Sequence, residues 1–196
     1  MISPLVTFLA VAMFSPGPNI IMLTTSGARF GAVRTWPHLV GVVLGVGVIG
    51  AVSGAGIGAL LLAQPALTLS LQIAACVWIL WMAWGLYRAD GRNGKASGAL
   101  VDRPMSLWEA VLFQWVNPKI WAIALAASSG HTLGLPPVQE AARMALAFMG
   151  VNFFVCVFWT YFGATLSRLL NSDRAWFWFR MVMAALLAAS AGLVFL

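Results

Sequence analysis

The chain has 196 residues, of which 62% are hydrophobic and only 8% charged, and its mean hydropathy is +0.93. A soluble domain usually carries about 25% charged residues, so this composition excludes a soluble globule and indicates one polytopic membrane domain. The net charge of +6 is scattered at the ends of apolar runs rather than gathered in a stripe, which argues against nucleic-acid binding.

Six apolar runs follow one another along the chain, each long enough to cross a bilayer. We predict an all-α integral membrane protein with six transmembrane helices, at residues 4–26, 38–62, 66–87, 107–128, 140–166 and 175–196. Residues 88–106 form the one extended polar stretch and predict a cytoplasmic linker. The single domain, 1–196, thereby divides into a first repeat over about 1–87 and a second over about 107–196.

The connections between these spans alternate in charge. The second and fourth connections carry no Lys or Arg, whereas the first, third and fifth carry Arg29, Arg34, Arg88, Arg92, Lys95, Arg103, Arg168 and Arg174. Because positively charged loops stay in the cytoplasm, the odd connections are predicted inside, and both termini outside.

The first and fourth spans are each interrupted near their centre by proline. Proline leaves carbonyls unpaired, which is costly in hydrocarbon unless protein or a water-filled cavity covers them. Since each half has three spans, we predict two inverted three-helix repeats with helices 1 and 4 broken. Paired broken helices mark the substrate site of such transporters, and the predicted site comprises Pro16, Gly17, Pro18, Asn19, Asn117, Pro118, Lys119 and Asn152.

Lys119 lies too deep in the fourth span for its ammonium to reach either surface easily. An intramembrane lysine costs about 2.5–3.5 kcal/mol on insertion scales and by default indicates a functional site. No Asp or Glu lies at its depth, so we expect it to bind carbonyls freed by the prolines, or the carboxylate of a ligand. A structural role as a cap of the broken helix stays open. Asn152, in the middle of the fifth span, is either a ligand-binding group or an interhelical hydrogen-bonding one.

The second span is predicted to pack between two neighbours, because its glycines fall on two opposite sides. At about 100° per residue, one side presents Gly41, Gly45 and Gly56, and the other Gly47, Gly50, Gly54 and Gly58. The polar run after the first break is predicted to repair that helix's backbone; it consists of Thr24, Thr25 and Ser26.

The segments around the two breaks resemble the signatures of a known family. The run SPGPNIIMLTTSGARFGAVRTWPHLVGVVLG is similar to the opening signature of LysE/RhtB-type amino-acid exporters, and FQWVNPKIWA looks like their second signature, built on Asn-Pro-Lys. The resemblance covers the whole chain and looks most like the cysteine/O-acetylserine exporter branch. It implies efflux of amino acids or their derivatives across the bacterial inner membrane by proton antiport, with site roles for residues 16–19 and 117–119. Asn19 stands where many members have Asp, which leaves no mid-membrane carboxylate to carry the coupling proton.

We expect alternating access around the midplane site. A half-helix N-terminus and Lys119 would hold the α-carboxylate, while unwound carbonyls and Asn19 or Asn117 take the α-ammonium. A divalent-cation exporter of a related fold stays open as an alternative, although the spans lack the carboxylates or clustered His and Cys that such ions need. A non-transporting membrane scaffold also stays open, as does a homo-oligomer. Nothing in the motifs indicates an enzyme, and we expect no cofactor and no resident metal.

Overall fold

A computed structural model of the protein describes residues 3–56, 65–88 and 103–192. These residues contain no β-strand. They form α1 (Pro4–Phe14), α2 (Pro18–Phe30), α3 (Ala32–Gly54), α4 (Pro65–Arg88), α5 (Leu107–Trp115), α6 (Pro118–Gly130), α7 (Pro137–Leu166) and α8 (Asp173–Gly192). The all-helical prediction is therefore confirmed. Most of the predicted linker, the end of the predicted second span and the last four residues of the sixth lie outside the described residues.

Three of these helices, α3, α7 and α8, are long and apolar enough to cross a membrane, and the number rises to five if each broken pair is one span. The 24-residue α4 coincides with the predicted third span to within one residue at each end. The second span begins earlier than predicted, at Ala32, because its helix accommodates Pro37. Proline at that position removes the bond to the carbonyl of Val33, a residue that is 79% exposed.

Both broken spans bend sharply at the predicted places. The axes of α1 and α2 differ by 61°, and those of α5 and α6 by 62°. The second half-helix of each pair begins at a proline, Pro18 or Pro118. A proline in the first turn costs no intrahelical bond, since the N–H it lacks would have no partner there. The same local chemistry thus ends one helix and starts the next at both breaks.

Glycines hold α3 between α5 and α7, as predicted. A Cβ added at Gly45 would lie 2.9 Å from the backbone oxygen of Val111 in α5, and one at Gly54 would lie 2.8 Å from that of Glu140 in α7. Gly41 shares the first side, and Gly47 and Gly50 share the second. The prediction was wrong for Gly56, which lies past the helix end at a φ of +82° with no other group within 4 Å. A left-handed backbone conformation is one that glycine adopts without strain, so this residue serves the turn rather than the packing.

α7 also makes a close backbone contact with α2. A Cβ at Gly27 would overlap the carbonyl oxygen of Thr160, and one at Gly163 would overlap that of Thr24. The small residues therefore let the two backbones touch, as in other membrane helix pairs. This contact sets the first break against α7, whose middle carries Asn152.

Candidate functional site at the two breaks

The two breaks meet around one small cavity of about 20 Å³. Most of the predicted site residues line it: Gly17, Pro18, Asn19, Asn117, Lys119 and Asn152. Two do not, namely Pro16, which lines an apolar groove on the outside of α1 and α7, and Pro118, which occupies the first turn of α6. The remaining lining is apolar apart from Cys156, and it comes from α1, α2, α6 and α7.

Lys119 connects the two breaks directly. Its Nζ donates a hydrogen bond to the carbonyl oxygen of Ser15, which follows the last turn of α1. Lys119 thus binds a carbonyl at the first break, one of its two expected partners, and binding of a ligand carboxylate stays a prediction. A Cβ on Gly17 would lie 2.7 Å from Lys119 Cδ, so the glycine leaves the space through which the lysine side chain passes.

Gln114, a residue that the sequence analysis did not single out, joins Asn19 to Asn117. Its side-chain amide exchanges two hydrogen bonds with that of Asn19, at 2.8 and 3.1 Å. Asn117 Nδ2 also donates to Gln114 Oε1, at 3.4 Å, and Gln114 Nε2 donates to the carbonyl of Ala110 at 3.0 Å. All three amide side chains are buried, and Gln114 is fully so. The network fixes the N-terminus of α2 against the C-terminal turn of α5.

Two amide atoms at the cavity have no partner. Asn117 Oδ1 and Asn152 Nδ2 are buried and make no hydrogen bond. Buried polar atoms are nearly always paired, so an unpaired acceptor and an unpaired donor in one cavity call for an explanation. Together with the ammonium of Lys119, they provide hydrogen-bond donors and an acceptor for a molecule that enters the cavity. Asn19, by contrast, is occupied by Gln114 on both amide atoms, which leaves Asn117 as the expected partner of an ammonium.

The N-termini of α2 and α6 both lie at this cavity, through Pro18 and through Lys119 and Ile120. A helix N-terminus carries roughly half a positive charge, so the two add to the charge of Lys119. No acidic residue lines the cavity. Within the described part of the chain, moreover, no three His, Cys, Asp or Glu side chains lie close enough together to hold a metal ion. The electrostatics favour a small anionic group and give the cation-exporter alternative no support.

The cavity is closed to a molecule larger than water. A space of about 20 Å³ admits one water, which needs roughly 10–15 Å³, but not an amino acid. A second cavity of about 420 Å³ lies toward the end of the bundle that carries Arg29, Arg88 and Arg103, here called the basic end. This is the end that the charge pattern predicts to face the cytoplasm.

The opposite end is tied together by Glu140 and Arg143 in the first two turns of α7. Arg143 donates to both carboxylate oxygens of Glu140, at 2.6 and 2.9 Å, and to the carbonyl of His131 at 2.6 Å. The backbone N–H of Leu133 donates to the same carboxylate at 3.0 Å. The ring of His131 stacks on Phe8 of α1, with the centroids 5.2 Å apart. These contacts hold the turn before α7 down on the bundle.

A polytopic helical protein whose two broken helices enclose unpaired amides and one half-buried lysine has the architecture of a membrane transporter. Sequence comparison gives the family: the chain belongs to the LysE type translocators, whose family model matches residues 10–196. Its members are transporters, so the chain is a multi-pass translocator and not an enzyme.

Similar curated proteins include the cysteine/O-acetylserine efflux proteins of Escherichia coli strain K12, Escherichia coli O157:H7 and Escherichia coli O1:K1. Each is 26% identical to this chain over 170 residues, which are 84% of this chain and 83% of the relative. No solved structure matches the chain. The LysE resemblance stated from the two break motifs is thus confirmed.

Proposed function

We propose that this protein exports an amino acid or amino-acid derivative across the bacterial inner membrane as a secondary transporter driven by the proton motive force. The observation that carries the proposal is the convergence of Lys119, Asn117 Oδ1, Asn152 Nδ2 and two half-helix N-termini on one cavity. An α-amino acid carries a carboxylate and an ammonium on one carbon, which matches a site with positive groups and an unpaired acceptor side by side.

The bound amino acid would be held at both ends of its backbone. Its carboxylate accepts from Lys119 Nζ and Asn152 Nδ2, near the positive ends of α2 and α6. Its ammonium donates to Asn117 Oδ1 and to the carbonyl of Ser15, which Lys119 then releases. The side chain would extend toward Val155 of α7 and the apolar lining from α1 and α2. Substrate binding therefore replaces the direct link between the breaks by a link through the substrate.

This exchange of partners suggests how binding leads to movement. While Lys119 donates its hydrogen bond to Ser15, this bond links α1 to α6 across the site. Once Lys119 binds the substrate carboxylate instead, the link is broken and the two helices can move apart. We infer alternating access in which α1–α2 and α5–α6 rearrange around the α3–α7 pair. The cavity at the break has to widen in this movement, since at about 20 Å³ it excludes the substrate.

An inverted repeat supports such a movement, because it provides two equivalent arrangements, one open to each side. The helix contacts are consistent with this symmetry. Exchanging α1 with α5, α2 with α6 and α3 with α7 turns the α2–α7 contact into the α3–α6 contact and α1–α7 into α3–α5, and all four occur. The α2–α3 and α2–α8 contacts have no counterpart of similar extent, so the symmetry holds for part of the bundle. The near-equal bends of 61° and 62° agree with the exchange. With six spans and the basic end inside, both termini would lie outside.

The names of the relatives supply the first substrates to test, L-cysteine and O-acetyl-L-serine. The assay is counterflow of the radiolabelled compound in proteoliposomes, with and without an imposed pH gradient. We expect uptake above protein-free liposomes and a larger export rate when the gradient favours proton entry. Absence of counterflow for a panel of amino acids, in protein that is shown to be folded and inserted, would overturn the proposed function.

Lys119 provides the variant test. Lys119→Ala removes the ammonium that holds the carboxylate, and we expect counterflow to fall at least tenfold at equal protein level. Lys119→Arg keeps the charge and should retain part of the transport. The matched control is Lys95→Ala, the same substitution at the other lysine of the chain, in the predicted linker and outside the described residues. Equal loss in Lys95→Ala, or full transport by Lys119→Ala, would contradict the role assigned to the site.

A further inference from the structure

The cavity at the basic end is large enough for a ligand and is separate from the cavity at the breaks. Its volume is about 420 Å³, within the range of roughly 300–1,000 Å³ that is usual for small-molecule pockets. It lies between α2, the first turns of α3, the end of α4, the segment before α5, and α8. None of its lining residues also lines the cavity at the breaks.

Two buried polar side chains in its wall have no hydrogen-bond partner. Both ring nitrogens of His38 are unpaired although the residue is only 2% exposed, and Thr25 Oγ1 is likewise buried and unpaired. The prediction that Thr25 repairs the backbone of α2 was therefore wrong. Burial of an imidazole whose two nitrogens are both unpaired costs desolvation free energy that no hydrogen bond offsets, unless a ligand or water binds to those nitrogens. Both residues line the cavity, and their unpaired atoms lie beneath its surface, so a side-chain rotation has to expose them to an occupant.

Three arginines, Arg29, Arg88 and Arg103, line the cavity, and no acid lines it among the residues that the structure describes. Glu109 binds Arg103 through two hydrogen bonds of 2.7 Å, an interaction that raises the pKa of the Arg103 guanidinium. The guanidinium of Arg88 lies 4.6 Å from the centre of the Trp84 ring. The guanidinium groups that line the cavity are therefore positioned to attract a carboxylate.

The rest of the wall is apolar and includes Trp81, Met82 and Leu187. An occupant that satisfies every part of this wall carries one anionic group, at least one further polar group and a small apolar part. A free amino acid has these features. An inorganic anion has no apolar part, and a metal cation is disfavoured by the arginines.

From this we propose that the basic-end cavity is a second binding site for the transported amino acid, an entry site that the substrate occupies before it reaches the breaks. The arginines attract the carboxylate, while His38 and Thr25 bind the remaining polar groups. This inference rests on the proposed function, since it takes its ligand from it. It adds a site made of residues that do not line the cavity at the breaks.

The test is the number of molecules bound by the purified full-length protein. Equilibrium binding of radiolabelled O-acetyl-L-serine to the protein in detergent should saturate at two molecules per chain. Lys119→Ala should retain one molecule, held at the basic end, and His38→Ala should retain one molecule, held at the breaks. A stoichiometry of one in the unmodified protein, with complete loss in Lys119→Ala, would overturn the second site and leave the proposed function intact.

Milder variants guard against a misfolded His38→Ala protein. Thr25→Val keeps the shape of the side chain and removes the unpaired hydroxyl, and Arg88→Gln changes an exposed residue. Each should weaken the second binding event by roughly threefold to tenfold, the effect of one hydrogen bond or one charge. His38→Gln, which keeps a donor and an acceptor, should bind better than His38→Ala. Unchanged binding in all four variants would contradict the inference.

A lipid headgroup could present a similar anion to the arginines, and a second arm of the experiment separates the two sources. Binding is repeated in nanodiscs of phosphatidylcholine alone and of phosphatidylcholine with phosphatidylglycerol. Equal stoichiometry in both supports an amino-acid site. Loss of the second molecule in phosphatidylglycerol would assign the cavity to a lipid and refute the proposal. Counterflow, measured in parallel, reports on the proposed function alone: if it is absent while two molecules still bind, that function fails and the second site stands.

Discussion

The amide pair formed by Asn19 and Gln114 predicts an asymmetric effect on stability. Gln114→Leu leaves both amide atoms of Asn19 buried and unpaired, because Gln114 is its partner for both. Leaving a buried polar group unpaired costs about 1–3 kcal/mol. Asn19→Leu should cost less, since Gln114 keeps its bonds to Ala110 and Asn117.

The double variant gives the energy of the pair itself. When both residues are changed to Leu, neither member of the pair remains as an unpaired amide. The loss of unfolding free energy should therefore be smaller than the sum of the losses in the two single variants. Interhelical hydrogen bonds in a membrane protein average about 0.6 kcal/mol in double-mutant cycles. Two such bonds, at 2.8 and 3.1 Å, therefore predict a coupling of about 1 kcal/mol.

The assay is reversible unfolding of the four proteins in mixed micelles with increasing dodecyl sulfate, followed by tryptophan fluorescence. A coupling energy below about 0.3 kcal/mol, the usual limit of additivity, would refute the pairing. Equal losses in the two single variants would refute the asymmetry. Gly150→Ala is a suitable control variant with no expected loss of stability, because a Cβ there meets nothing within 4 Å.

Three further predictions concern packing and closure. Gly17→Ala should change the free energy of unfolding by no more than about 0.5 kcal/mol, because the new methyl displaces the flexible Lys119 side chain rather than backbone. Displacement of this lysine should nevertheless reduce counterflow several-fold. A large decrease in melting temperature would contradict this prediction. Gly163→Ala should lower stability by about 1–3 kcal/mol in the same unfolding assay, since its methyl meets the backbone of α2, whereas Gly150→Ala should not. Glu140→Ala should cost roughly 1.5–3 kcal/mol and speed amide exchange in the turn before α7, and unchanged exchange there would rule out its holding role.

The breaks were predictable from sequence because proline acts locally. Pro18 and Pro118 lack a backbone donor wherever they stand, so an interruption of the helix follows from the residue itself. The depth of Lys119 in an apolar run likewise follows from counting residues, and its need for a carbonyl follows from the absence of acids nearby. These features were found without knowing which helices are neighbours.

Gln114 could not be recognised in the same way. Its importance depends on Asn19, which is 95 residues away in the sequence and meets it where the first turn of α2 lies beside the last turn of α5. A buried amide in an apolar span was the available signal, and by itself it does not name a partner. The unpaired nitrogens of His38 could not be predicted for a similar reason. They depend on the rotation of α3, which places this ring in the wall of a cavity instead of at a surface.

Under the proposed proton-driven export, the charges at the site limit which group can carry the coupling proton. A carboxylate bound to Lys119 stabilises its protonated form, so substrate and proton favour each other at this residue. Antiport requires the opposite, a group that releases its proton when the substrate binds. We therefore predict that Lys119→Arg, which does not deprotonate, keeps a dependence of export on the pH gradient even if its rate is lower. The measurement is counterflow and net efflux in proteoliposomes with the gradient in each direction. Loss of the gradient effect in Lys119→Arg, with counterflow retained, would show that Lys119 itself carries the coupling proton.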